Sequence, residues 1–339
     1  MNRSNCLDIE KMVESLVKGA ALELYLTPKP GLVDLADCGS HADLSLSSME
    51  LSIHSIADYL LELYRSLSAE ERFEHQVAIA KRAERNMHTT LGTNTHKGYL
   101  FLSGLFLIAL WHTRSRDEHS LRATISSLAN DFFTTRGESG TNGQQARTRF
   151  RAGGIVREAT CGFPSLFNAA LPAFRASVTR IGCLKTASFA MLARLMQTVE
   201  DTTTLHRSGL FGLFRIRRDG QALERVLVEG GDHISFLNNL NQLYIRKSIT
   251  MGGVADMLAL SYGYLIFRGE ISLTNEVSCI NNGINYYLEE MSPLIHTRPA
   301  SSAWFGQPLT SGLLYEVPSG SLRRDALFEA LQSVCCPSW

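Results

Sequence analysis

The sequence has no imbalance of charge. Its 33 basic residues meet 33 acidic ones, so no global field draws it to nucleic acid or to an anionic membrane surface. It also lacks a long hydrophobic run. The longest, from Tyr99 to Trp111, is broken by Ser103 and Gly104 and falls short of the roughly 20 residues that a membrane helix needs. The N-terminus carries Asp8, Glu10 and Lys11 and has no apolar stretch of the signal-peptide kind. Seven scattered cysteines show no zinc-type spacing, and the adjacent Cys335-Cys336 pair has poor geometry for a structural disulfide. The cytoplasm is the expected address. A Walker-type Gly-x-x-x-x-Gly-Lys-Ser/Thr loop is missing, as are the His-Arg-Asp and Asp-Phe-Gly signatures, which excludes P-loop enzymes and protein kinases. Strand signals are sparse; residues 213–216 and 225–228, around Asp219-Gly220, predict a single hairpin.

What is present reads as helix. With 45% hydrophobic and 19% charged residues over 339 positions, the chain can bury a full core. Apolar residues recur at helical spacing over 7–26 (Ile9, Val13, Leu16, Ala20, Leu24), and Pro28 and Pro30 end that helix. A second helix is expected to open at Ser47, with Glu50 completing a capping box. Others are expected near 69–88, 120–134, 184–199, 231–246 and 254–267. The stretch Gly92-Thr93-Asn94-Thr95-His96-Lys97-Gly98 feeds the apolar run directly. It predicts a buried central helix with Asn94 or Thr95 as N-cap and an anion-attracting N-terminus. Residues 136–154, rich in glycine and arginine, read as a long loop. The expected architecture is mostly α: one helical domain over 1–268 and a C-terminal extension over 269–339, with a terminal helix near 322–334.

Five polar clusters sit at the ends of the apolar helices: Lys29/Asp34/Asp43, Asn94/His96/Lys97, Arg157/Glu158, Asp201/His206/Arg207 and Gly253/Asp256. Acidic residues at a helix start are usually caps. Together, however, the clusters supply what a nucleotide polyphosphate needs. Lys29, Lys97, Arg157 and Arg207 can pair with phosphate oxygens. Asp34, Asp201 and Asp256 can hold Mg²⁺, which takes one or two carboxylates beside phosphates and water.

Five ordered motifs carry a family resemblance: Pro28-Lys29-Pro30-Gly31-Leu32-Val33-Asp34; Thr93-Asn94-Thr95-His96-Lys97-Gly98; Glu158-Ala159 with Gly162-Phe163-Pro164; Asp201-Thr202 through Arg207-Ser208-Gly209; and Gly252-Gly253-Val254-Ala255-Asp256. Over about residues 15–268 they resemble the triphosphoribosyl-dephospho-CoA synthase family. The family pattern differs at Val156, Thr203, Ser208 and Met251, where it tends to have Arg, Asn, Gly and Pro. The resemblance implies an all-helical enzyme that joins the triphosphoribosyl part of ATP to the 2′-hydroxyl of dephospho-CoA and expels adenine. The product would be a prosthetic-group precursor, passed to a transferase serving the acyl carrier protein of citrate lyase or malonate decarboxylase. On this reading Asp34, Asp201 and Glu158 are catalytic candidates, with Glu158 as the base. Lys29, Asn94, His96, Lys97, Arg157, Arg207, Gly252 and Gly253 bind substrate, and Mg²⁺ lies at Asp34, Asp201 and Asp256. Two alternatives stand beside it: a ribosyl transferase with another acceptor, and an inactive nucleotide-binding relative. The oligomeric state is left open.

Overall fold

The computed structural model describes residues 3–272 except 94, 114, 116 and 135–141, and among these residues the secondary structure is entirely helical. In chain order the helices are α1 (Arg3–Tyr25), α2 (Leu46–Ser68), α3 (Phe73–Leu91), α4 (Lys97–Thr113), α5 (Glu118–Thr134) and α6 (Asn142–Phe150). They continue as α7 (Gly154–Thr160), α8 (Leu171–Ile181), α9 (Leu184–Thr198), α10 (Thr202–Glu229), α11 (His233–Lys247) and α12 (Gly252–Arg268). A π turn, Leu166–Ala170, leads into α8. The expected tail, including its helix near 322–334, lies outside the described residues.

Helix α4 is the apolar run, and it is buried on nearly every side, by Tyr99, Leu100, Leu102, Phe106, Leu107 and Ala109 among others. A helix without a polar face has to be central, and α4 packs against α1, α2, α3, α5 and α12. The Tyr99 hydroxyl donates to the Leu16 carbonyl of α1 at 2.6 Å. Phe106 lies parallel to Phe163 and meets Tyr264 edge-on, with ring centroids 6.4 and 5.7 Å apart.

The tightest helix pair is α1 on α12. A Cβ added at Gly19 would lie 2.4 Å from the Ala259 carbonyl oxygen and 2.5 Å from the Gly263 nitrogen. The two backbones therefore touch, which only a residue without a side chain allows.

Local readings changed in four places. The expected hairpin is part of α10: Leu213, Ile216, Gly220, Leu223 and Leu227 are buried at helical spacing. Asp219-Gly220 is no turn, because Asp219 accepts from Arg215 at 2.6 Å and Gly220 lets α10 approach the Ala193 carbonyl of α9. The capping box of α2 is Ser45 with Ser48 rather than Ser47 with Glu50. Part of the expected 136–154 loop folds as α6, which buries Ala146 against Leu205 and Leu213 of α10. Finally, α4 starts one residue after His96, whose carbonyl accepts from the Leu100 amide at 2.9 Å, so Thr95 is not its cap; Asn94 lies outside the described residues.

Gly19→Ala is expected to lower unfolding stability by about 1–3 kcal/mol, the usual cost of overpacking. An unchanged urea midpoint would remove the backbone contact between α1 and α12 from this account.

Candidate active site

A helix that starts in the interior must find acceptors for its first amides. Asp201 is the N-cap of α10, and its Oδ1 accepts from the Thr204 amide at 2.8 Å. Its Oδ2 accepts from the Val254 amide, in the first turn of α12, at 3.0 Å. One carboxylate thus caps two helices. Gly253 is what lets α12 come so close: a Cβ there would lie 3.1 Å from Asp201 Oδ2. Gly252 stands in the same relation to the Thr203 hydroxyl.

Asp256, one turn further along α12, faces the start of α4. It accepts from the Tyr99 amide, and a Cβ at Gly98 would lie 2.0 Å from its Oδ2. The starts of α4, α10 and α12 therefore gather at two carboxylates. Helix N-termini favour negative charge, but burial prevails. It raises the Asp201 carboxyl above the usual range, and it raises Asp256 well above it, helped by the negative charges of Asp201 and Glu23. Both gain from any positive charge brought beside them.

The Lys29–Asp34 turn does something other than expected. Lys29 is fully buried, and its ammonium bonds to the carboxylate and carbonyl of Glu23 in α1. It is not presented to a phosphate. Asp34 accepts from the Lys29 amide at 2.7 Å through Oδ2 and from the Ala36 amide at 2.7 Å through Oδ1. Asp34 organises its own loop, and burial raises its carboxyl too. Asn241 of α11 accepts from the Gly31 amide, and Arg207 donates to the Ser40 carbonyl at 2.7 Å, strapping the loop to α10. Asp43 is exposed and accepts from the Thr93 hydroxyl, away from the Lys29–Asp34 turn. The side chain of His206 is exposed.

His96 is buried between Ser52 of α2 and the start of α4. Ser52 Oγ lies 2.8 Å from the Met49 carbonyl oxygen and also bonds His96 Nδ1. Nε2 is buried and without a partner. Burial, with the Lys29 charge second, lowers the imidazole to about 3. Lys97, half-exposed, ion-pairs with Glu84 of α3.

Arg157 and Glu158 stand apart from this junction, on α7. Glu158 accepts from the Ser165 amide at 2.7 Å and the Ser165 hydroxyl at 3.0 Å, while burial raises its carboxyl. It lines a cavity of about 300 Å³ with Arg157, Asn168, Arg194, Glu200 and Arg217. Glu200 accepts from the Gly153 amide at 2.8 Å. Since Glu200 precedes Asp201, two consecutive residues join the cavity to the helix junction. Sequence reasoning missed Glu23, Glu200, Arg194 and Arg217. Glu23 alone left a signal, a carboxylate among the apolar residues of α1. Among the described residues no group of three or more His, Cys, Asp or Glu is placed to hold a metal ion.

Comparison with known proteins places these residues in context. A family model described as ATP:dephospho-CoA triphosphoribosyl transferase matches residues 9–270. The chain is 28% identical over 281 residues to the 2-(5''-triphosphoribosyl)-3'-dephosphocoenzyme-A synthase of Klebsiella pneumoniae, covering 77% of this chain and 92% of that protein. It is 30% identical over 270 residues to a probable synthase of the same name, numbered 1, from Salmonella typhimurium, covering 74% and 89%. It is 30% identical over 262 residues to a probable synthase from Vibrio cholerae serotype O1, covering 71% and 83%. No solved structure matches the chain.

The buried neutral His96 has a pH signature. Its folded-state value of about 3 lies below the ordinary 6.5, so the unfolded chain takes up the proton first. The stability associated with the neutral ring is present above 6.5 and is lost as pH falls toward 3. Between about pH 7 and pH 5, wild type should lose about 2 kcal/mol relative to His96→Gln, which has no proton to gain. Denaturant titrations of both proteins check this, and a pH-independent gap between them would contradict the buried neutral ring.

Proposed function

The chain belongs to the ATP:dephospho-CoA triphosphoribosyl transferase family, and from that premise we propose that it joins the triphosphoribosyl part of ATP to the 2′-hydroxyl of dephospho-CoA. The bond from the ribose carbon to adenine breaks and a bond from that carbon to the acceptor oxygen forms. The hydroxyl loses its proton, and adenine leaves with one. The triphosphate is carried over intact.

The observation that carries this reading is the pair of buried carboxylates, Asp201 and Asp256, at the joined starts of three helices. Loss of adenine builds positive charge on the ribose carbon, as in glycoside transfer. Two carboxylates that repel each other in a buried place are stabilised by that charge as it develops, and they are already fixed by backbone amides. Glu158, oriented by Ser165 and raised by burial, is suited to exchanging a proton during the reaction. Lys97, Arg157 and Arg207 remain the cations presented toward solvent for phosphate, while Lys29 serves the interior.

Mg²⁺ belongs to the proposal. A metal arriving on the triphosphate needs only one or two carboxylates, and Asp201 and Asp256 are the residues that would hold it. It would offset the charge of the phosphates. Asp34, which like Asp201 has both oxygens on backbone amides, stays a third candidate ligand. Both substrates are intracellular nucleotides, which supports the cytoplasm as the place of reaction. The product suits the prosthetic group of an acyl carrier protein, so a prosthetic-group transferase is the proposed next partner.

Chromatographic detection of adenine after incubation with ATP, Mg²⁺ and dephospho-CoA tests the reading. Adenine should appear only when the acceptor is present, together with a new CoA-like product. Release without the acceptor would make the protein a nucleosidase, and no release would make it an inactive relative. Asp201→Asn keeps a capping oxygen for the Thr204 amide but loses the charge and the acceptor for the Val254 amide. It should stay folded and slow adenine release by roughly 100-fold or more; near-normal turnover would move the chemistry away from Asp201.

A further inference from the structure

The cavity beside Glu158 contains more guanidinium than its carboxylates use. Arg217, on α10, projects into it, and its Nε–H is buried with no acceptor. That group is a permanent donor, and a buried donor without a partner is unfavourable. Arg194, on α9, reaches Glu224 at 3.4 Å and Gln197 at 3.3 Å. Arg157, on α7, reaches Glu200 at 3.5 Å. All three distances exceed the roughly 2.7–2.9 Å of a strong charge-assisted bond, so neither guanidinium is saturated.

The carboxylates of the cavity have other duties. Glu200 accepts from the Gly153 amide and Glu158 from Ser165. Burial also pushes Glu158 toward its neutral form, which lowers the negative charge facing the three arginines. An anion with several oxygens would meet all three forks at once, and about 300 Å³ is room for one.

We propose that this cavity is a phosphate-chain subsite, in which Arg217, Arg194 and Arg157 converge on the triphosphate or diphosphate of a bound nucleotide. The subsite rests on the transferase reading only for the source of its phosphates, the triphosphate of ATP or the diphosphate of dephospho-CoA. Binding of a phosphate chain needs no turnover.

Calorimetric titration of the full-length protein with inorganic tripolyphosphate is the first test. Wild type should bind it, Arg217→Met should bind at least tenfold more weakly, and Arg217→Lys should fall between, since an ammonium keeps the charge without the fork. If Arg217→Met fails to fold by circular dichroism, Arg157→Met at the exposed rim should give the same weakening in a folded protein. Steady-state kinetics then distinguish the sources. A raised KM for ATP alone assigns the triphosphate, and a raised KM for dephospho-CoA alone assigns the diphosphate. No binding by wild type would mean that only water meets Arg217, and equal binding by wild type, Arg217→Met and Arg157→Met would place the phosphate elsewhere; either result overturns the subsite. Intact tripolyphosphate binding without adenine release would instead count against the transferase reaction and leave the subsite standing.

Discussion

Helices that begin inside a protein need acceptors for their first amides, and here α4, α10 and α12 begin at one place. Asp201 serves α10 and α12 together, and Asp256 serves α4 from the first turns of α12. The arrangement holds only because Gly98 and Gly253 leave room for a carboxylate oxygen where a side chain would stand. Replacing Asp201 by asparagine removes the charge and one of the two acceptors, whereas deleting the carboxylate leaves both buried amides unpaired. The same groups therefore bear on stability through their oxygens and on chemistry through their charge.

Around this junction the interior holds an unusual number of ionisable groups. Glu23 and Lys29 form a fully buried ion pair between α1 and the Pro28–Asp34 turn, so removing one partner would leave an uncompensated charge. The Lys29 charge helps keep His96 neutral, and the Glu23 charge helps raise Asp256. Lys29 thus acts on the site through electrostatics without touching what enters it.

The helical class was legible from the scarcity of strand signals and from the α4 run. The exception, α10, shows what a local reading lacks. Asp219-Gly220 between two apolar pieces looks like a turn until the Arg215–Asp219 ion pair and the close approach to Ala193 are known. Lys29 was misassigned for a related reason: Pro-Lys-Pro-Gly looks like an exposed turn, and its buried partner Glu23 gives no cue that the two meet. The shared Mg²⁺ expected from the sequence grouped Asp201 and Asp256 with Asp34, and the first two do meet, at the starts of α10 and α12. Arg194 and Arg217 carry no such mark. On a helix they look like ordinary solvated charges, and only the packing of α7, α9 and α10 turns them into one cavity.

The two regions have opposite character, and the chain joins them at a single peptide bond. Glu200 faces the arginine-lined cavity, and Asp201 starts the helices at the carboxylate pair. A ribosyl polyphosphate has the same division, with phosphates that seek guanidinium and a ribose carbon that turns positive as its base departs. Bare carboxylates beside the phosphates weaken their binding unless a hydrogen bond or a metal offsets the charge, and arginines beside the ribose carbon would oppose the charge developing there. Fixing both on consecutive residues at the entrance of α10 keeps each field where it helps. It also ties the separation to the cap that holds the helix in place.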